Sequence, residues 1–189
     1  MTKKRVLIAL FLIGLIYMLA PGPNRIDDFS PIPDSLKSNE PGDTYQVPHI
    51  AAYFSNLARA EITMFYREDF RKQFIFGWLF PPVSLNYPPI AAYQYVRDML
   101  QNSTFLEEYV YPFRGSIFVA GYDPYVEAEI RGVAPDKFGE FIYINGEYFK
   151  SKTTIRYYPA PWYINLLIYL AVCLCTVATF KLIKKVNKI

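Results

Sequence analysis

The chain has 189 residues, of which 52% are hydrophobic and 20% charged, a composition that excludes both a disordered chain and a many-span channel. Its net charge of +3 hides an asymmetry: Lys3, Lys4, Arg5, Lys181, Lys184, Lys185 and Lys188 flank two apolar runs, while the segment from Pro21 to Pro161 holds all 17 acidic and 13 basic residues, a net −4. Positive charge confined to the flanks of apolar runs is a topology signal and argues against nucleic acid as a partner.

Residues 1–5 form a basic tail. Val6 to Ala20 follows as an apolar run of fifteen residues, the pattern of a signal anchor or of a cleavable leader. Cleavage after Ala20 or Gly22 would leave Pro21 or Pro23 first in the product, and a fixed-φ ring fits an extended protease substrate poorly. The run is therefore expected to stay as a transmembrane anchor, its basic residues snorkelling to offset its shortness.

Residues 21–48 contain six prolines, which prevent helix and confine strands to edges. The segment reads either as an extended linker or as an arm packed on the domain. Residues 49–158 are expected to form one exported α+β domain, with N-terminal helices packed on an antiparallel sheet. Ile50, Tyr53, Phe54 and Leu57 share a helical face and predict a helix over 49–57. Ile62 to Tyr66 fits either its continuation or a short strand. Phe74, Phe76, Trp78 and Phe80 alternate as in a half-buried strand, so their rings are expected in the core; the alternative is that they dip into the outer leaflet or stack on a glycan. Pro89 to Leu100 predicts a second helix, with proline in its first turn.

From Phe105 the pattern is β. Strands are predicted over 105–111, 116–122, 125–131, 140–145 and 148–158, with Asn145-Gly146 as a two-residue hairpin turn. Trp162 to Phe180 is a run of nineteen residues without a charge, long enough to cross most of a ~30 Å hydrocarbon core. Trp162 and Tyr163 mark its outer interface. Lys181, Lys184 and Lys185 mark the cytoplasmic one, within a basic tail over 181–189. The expected topology places both termini in the cytoplasm and residues 21–161 outside. Asn165, Thr176 and Thr179 are candidates for hydrogen bonds between membrane helices.

The reactive side chains are sparse. His49 is the one histidine, and Cys173 and Cys175 lie in the second apolar run, so a zinc site of the usual kind is not expected outside the membrane, nor any other metal or cofactor. Glycine-rich phosphate loops and a nucleophile elbow are missing. Paired carboxylates occur as Asp27 with Asp28, Glu107 with Glu108, and Glu127 with Glu129. On a strand Glu127 and Glu129 would share a face and could hold a cation or divide acid and base roles, although alternation with Val126, Ala128 and Ile130 is also what a sheet with one wet face requires. Asn102-Ser103-Thr104 is a glycosylation sequon.

Three stretches, Leu85-Asn86-Tyr87-Pro88-Pro89, Phe105-Leu106-Glu107-Glu108-Tyr109 and Ser116-Ile117-Phe118-Val119-Ala120-Gly121-Tyr122-Asp123-Pro124, resemble segments of uncharacterised membrane proteins from small-genome candidate-phyla bacteria. The resemblance implies a bacterial cell membrane, where the sequon would have no use, and brings no activity or site residues. The expected function is a binding or assembly module of the cell envelope, held in the lipid bilayer and meeting another envelope protein or an extracellular polymer. The alternatives are an accessory subunit of a larger membrane complex and an anchored hydrolase using Glu127 and Glu129.

Overall fold

The computed structural model describes residues 3–44, 46–95, 103–133 and 142–186. The chain divides into two compact units. One holds residues 1–21, 112–114 and 160–189, and the other holds residues 22–111 and 115–159.

The larger unit is an α+β fold around an antiparallel sheet. Its strands are β1 (Leu36–Lys37), β2 (Ile50–Ser55), β3 (Val83–Tyr87), β4 (Phe105–Tyr111), β5 (Gly115–Tyr122) and β8 (Ser151–Pro159), in the order β1-β2-β8-β5-β4-β3. A separate hairpin pairs β6 (Ile142–Ile144) with β7 (Glu147–Phe149). Its turn is Asn145-Gly146 at φ 52° and 92°, the mirror-image geometry that matches strand twist. The helices are α2 (Arg59–Gln73), α3 (Pro89–Tyr95) and α4 (Pro124–Arg131). Predicted residues 96–100 of the second helix lie outside the described set.

The core forms where α2 crosses one face of the sheet. Ile62, Tyr66 and Phe70 recur every fourth residue along one side of the helix, Phe74 follows just past its end, and all four are buried, as are Ile117, Val119, Ile155 and Tyr157 on the strands. Phe70 is the hub, its ring lying 5.0 Å from Tyr111, 5.8 Å from Phe29 and 6.1 Å from Tyr157. Tyr66 is fully buried and its hydroxyl has no hydrogen-bond partner among the described residues. Burial pushes that phenol far above its ordinary pKa. An unsatisfied buried hydroxyl costs about 1–3 kcal/mol, so Tyr66→Phe is expected to leave thermal stability unchanged or raised. A fall in the unfolding midpoint would show that the hydroxyl is bonded.

Residues 22–44 are a packed arm. Phe29 and Ile32 are buried, β1 pairs with β2, and the Tyr157 hydroxyl donates to Pro23 O at 2.8 Å. Ser30 donates from its backbone N–H and its hydroxyl to Asp69 on α2. A short 3-10 turn at Pro41–Asp43 buries the Asp43 carboxylate.

Three sequence expectations are corrected. Residues 50–55 form a strand: β2 lies between β1 and β8 and is buried along its whole length, so its apolar run carries no alternation and imitates a helix face. The preceding His49 sits at φ 60°, which breaks any helical start there. Residues 74–80 are hydrogen-bonded turns, with Gly77 N–H donating to Phe74 O and Leu79 N–H to Phe76 O. Residues 124–131 form helix α4, with proline at its first position. Gly132 at φ 65° ends it, its N–H donating to Glu129 O while that of Val133 donates to Ala128 O. Those paired bonds are a Schellman ending.

The smaller unit contains α1 (Lys3–Leu19), α5 (Trp162–Val186) and the turn residues 112–114. Phe11 and Tyr169 pack with ring centroids 5.5 Å apart, and the Tyr169 hydroxyl donates to Phe11 O at 2.6 Å. Gly14 makes this possible, because a Cβ there would overlap the Tyr169 ring. Tyr17 donates to Pro112 O, Arg114 to Met18 O, and the Ala160 N–H to Arg114 O. Among the described residues one helix, α5, is long and apolar enough to cross a membrane. The expected pair of spans is thus reduced to one candidate, since α1 has 17 residues and a length of about 26 Å, short of a ~30 Å core.

Candidate functional site

The strand registers define two ends of the sheet. Gly115 pairs with Pro159 and Val83 with Val110 at one end; Ser55 pairs with Ser151 and Phe105 with Gly121 at the other. Both chain connections toward the apolar helices leave from the first end, one at Pro159 and the other beside Pro23, which is bonded to Tyr157. We call the first the near end and the second the far end.

At the far end Asn56, Arg59, Ile62, Phe105, Asp123 and Lys150 line a cleft of about 410 Å³. Most of its polar groups are committed. Arg59 forms an ion pair with Glu107 at 2.9 Å, donates to Asn86 Oδ1 at 2.8 Å, and lies over the Phe105 ring. Glu107 also accepts from the Tyr109 hydroxyl at 2.6 Å, and burial together with that carboxylate pushes the Tyr109 phenol well up. Glu61 accepts from the Ala58 N–H at the start of α2. These contacts fix the walls. Lys150 differs: its backbone N–H donates to Asn56 Oδ1, whereas its side chain is exposed and has no partner among the described residues. Two residues earlier, Tyr148 lies 4.7 Å from Tyr143 on the β6–β7 hairpin, and both rings stand in solvent. An exposed aromatic pair, its ring planes inclined at 47°, with a free ammonium close by along the chain can hold a planar or sugar-like group against one ring and an anionic substituent.

A second cleft of about 380 Å³ lies against the arm, lined by Arg25, Asp27, Lys37, Asp43, Thr44 and His49. Buried Asp43 accepts from the Ser38 hydroxyl at 2.5 Å and pairs with Lys152 Nζ at 2.7 Å, all on Oδ2. The Lys152 ammonium also lies over the Phe54 ring, 5.6 Å from its centroid. This cluster joins the 3-10 turn at Pro41–Asp43, Ser38 just past β1, and β8, so its evident work is to fasten the arm to the sheet.

The sequence-derived candidates are mostly separated. Glu129 is exposed on α4, and the side chain of Glu127 lies outside the described residues. Residues two apart on a helix differ by about 200° around the axis, so the shared strand face that made them an acid and base pair is gone. Asp28 is spent on the backbone N–H groups of Asn24 and Arg25, which lower its pKa, and Asp27 meets Lys37 at 3.9 Å on the surface. Glu108 accepts from Tyr87 on the neighbouring strand. His49 is exposed. Asn102 lies outside the described residues, while Ser103 and Thr104 are buried, Thr104 Oγ1 donating to Gly121 O and accepting from the Asp123 N–H.

On α5, Trp162, Tyr163, Lys181, Lys184 and Lys185 are exposed. Asn165 is buried and donates to Ala160 O. Thr176 and Thr179 donate to Val172 O and Cys175 O, the carbonyls one turn back on their own helix. Cys173 and Cys175 are free thiols. Sequence reasoning passed over Lys150, Tyr143 and Tyr148; the Asn145-Gly146 turn, which projects those tyrosines, was the signal that could have found them.

No family model, no curated protein and no solved structure matches this chain.

Proposed function

We propose that the protein is a membrane-anchored, extracytoplasmic binding or assembly module of the cell envelope, with the far end of its sheet as the recognition end. The observation that carries this reading is the placement of the far-end cleft, with Lys150 uncommitted and the Tyr143–Tyr148 pair close by along the chain, opposite the end where both connections leave. In this reading α5 spans the bilayer, Trp162 and Tyr163 stand in the outer interface, and Lys181, Lys184 and Lys185 hold the C-terminus in the cytoplasm. In this reading α1, shorter than a full span, is retained beside α5, where Tyr169 makes its ring and hydrogen-bond contacts to Phe11. Residues 21–161 are then outside, where an extracellular polymer or another envelope protein is the partner.

A second reading is an accessory subunit held through its helices. It is favoured by the outer face of α5, where Ile168, Ala171, Val172, Cys175 and Thr179 line a shallow groove of about 520 Å³ and small residues permit close helix approach.

One experiment separates them. The full-length chain is purified from its native membrane in mild detergent, beside Lys150→Glu combined with Tyr148→Ala, and beside a chain whose residues 162–180 are replaced by an unrelated apolar helix. Loss of the co-purifying molecule in the double variant alone supports the recognition end. Loss only in the helix swap supports the subunit reading and overturns the first.

A further inference from the structure

From Gln73 to Val96 no residue is charged, and between Phe74 and Val83 the single polar side-chain group is the Trp78 indole N–H. The structure exposes this stretch. Ile75 is 58% exposed, Trp78 75%, Leu79 52% and Phe80 51%. The backbone that carries them is fixed. Phe74 is buried with its ring 4.7 Å from Tyr111, Gly77 packs against the Arg71 carbonyl where a Cβ would collide, and Phe80 N–H donates to Phe76 O at 2.9 Å.

An ordered turn that presents four large apolar side chains to water needs a partner. Its position indicates which. The turn leads into Val83, which pairs with Val110 at the near end, where the chain also departs for α5 at Pro159. Its chemistry agrees. A glycan platform needs several hydrogen-bonding side chains around its rings, and between Phe74 and Val83 the Trp78 indole N–H stands alone. Exposed Lys72, just before the turn, supplies a cation for lipid phosphates. Trp, Phe, Leu and Ile beside a basic residue are the composition of a segment lying in a membrane interface.

We propose that the turn formed by Ile75, Trp78, Leu79 and Phe80 inserts into the outer phospholipid leaflet and holds the near end of the domain against the bilayer. This rests on the reading that α5 spans that bilayer. It makes the domain a monotopic rider on its own membrane, with its far end turned outward.

Trp78 and Trp162 are the two tryptophans of the chain, so single substitutions isolate each. Full-length Trp162→Phe is reconstituted in phosphatidylcholine–phosphatidylglycerol vesicles with or without brominated acyl chains. Trp78 fluorescence is expected to lose most of its intensity to brominated lipid and little to aqueous iodide. Quenching by iodide alone overturns the proposal, and protection from both quenchers also overturns it, in favour of a second copy of the chain covering the turn. Full-length Trp78→Phe reports on the anchor through Trp162. If Trp162 is quenched by brominated lipid and Trp78 is not, the proposal falls and the anchor stands. If neither is quenched and the chain does not float with vesicles, the anchor reading fails and takes the proposal with it.

Discussion

Asp43→Ala is expected to cost about 3–5 kcal/mol, because it leaves the Lys152 ammonium buried without its carboxylate. The Asp43 side chain is 2% exposed and that of Lys152 12%, so water cannot replace the lost partner cheaply. The same oxygen also accepts from Ser38, whose backbone N–H donates to Ala52 O on β2, so the loss spreads from the arm into the sheet. Hydrogen exchange of β2 and β8 amides in the detergent-solubilised full chain measures it locally. Combining Asp43→Leu with Lys152→Met should recover much of the stability, since neither charge then remains buried. A loss below about 1 kcal/mol for Asp43→Ala would mean that the pair behaves as a solvated surface bridge.

Phe70→Ala is expected to cost a similar amount, about 3–5 kcal/mol, through the cavity left at the centre of the ring cluster. Phe70 is 1% exposed and touches rings from three separate parts of the fold: Phe29 on the arm, Tyr111 on β4 and Tyr157 on β8. Met64, on the same helix but 62% exposed, is the internal control. Met64→Ala should shift stability by no more than about 0.5 kcal/mol. Thermal unfolding followed by near-ultraviolet circular dichroism, which reports on packed rings, compares the two. Equal effects would show that α2 is not packed on the sheet through this face.

What could be read in advance follows from what each local pattern had to compete with. Strands β4 and β5 have breakers at their ends and side chains that suit a sheet, and Asn145-Gly146 sits at a turn only such residues enter easily, so all three were legible. Helix α4 was misread because Val126, Ala128 and Ile130 alternate with charges as a strand would. The cues that outweigh alternation were proline at the first helical position and glycine one residue past the end. Strand β2 was misread for the opposite reason: a strand covered on both faces has no polar side to show, so its apolar spacing is free to mimic a helix.

The candidate site was less legible still. Carboxylates were weighed by spacing along an assumed strand, and that spacing lost its meaning once the backbone was helical. Lys150 gains significance only from long-range pairing, which brings the end of β2, the start of α2 and the start of β8 to one place. Conversely, the alternating rings over 74–80 were expected inside, because aromatic side chains usually are. The backbone turns instead, burying Phe74 and leaving Trp78, Leu79 and Phe80 in the open.

The order of strands also sets a timetable for synthesis. β8 is the last strand made, yet it lies in the interior of the sheet between β2 and β5, and its partner β2 was translated about a hundred residues earlier. Until Pro159 has emerged, β2 and β5 have no common neighbour, and the arm has no Tyr157 ring to rest on. The domain therefore cannot close piecemeal behind the ribosome. Its sheet is completed only as the residues of α5 follow, so folding of the large unit and placement of the C-terminal helix fall in the same short interval, and a chain stopped before β8 leaves β2 and β5 open to pairing with other molecules.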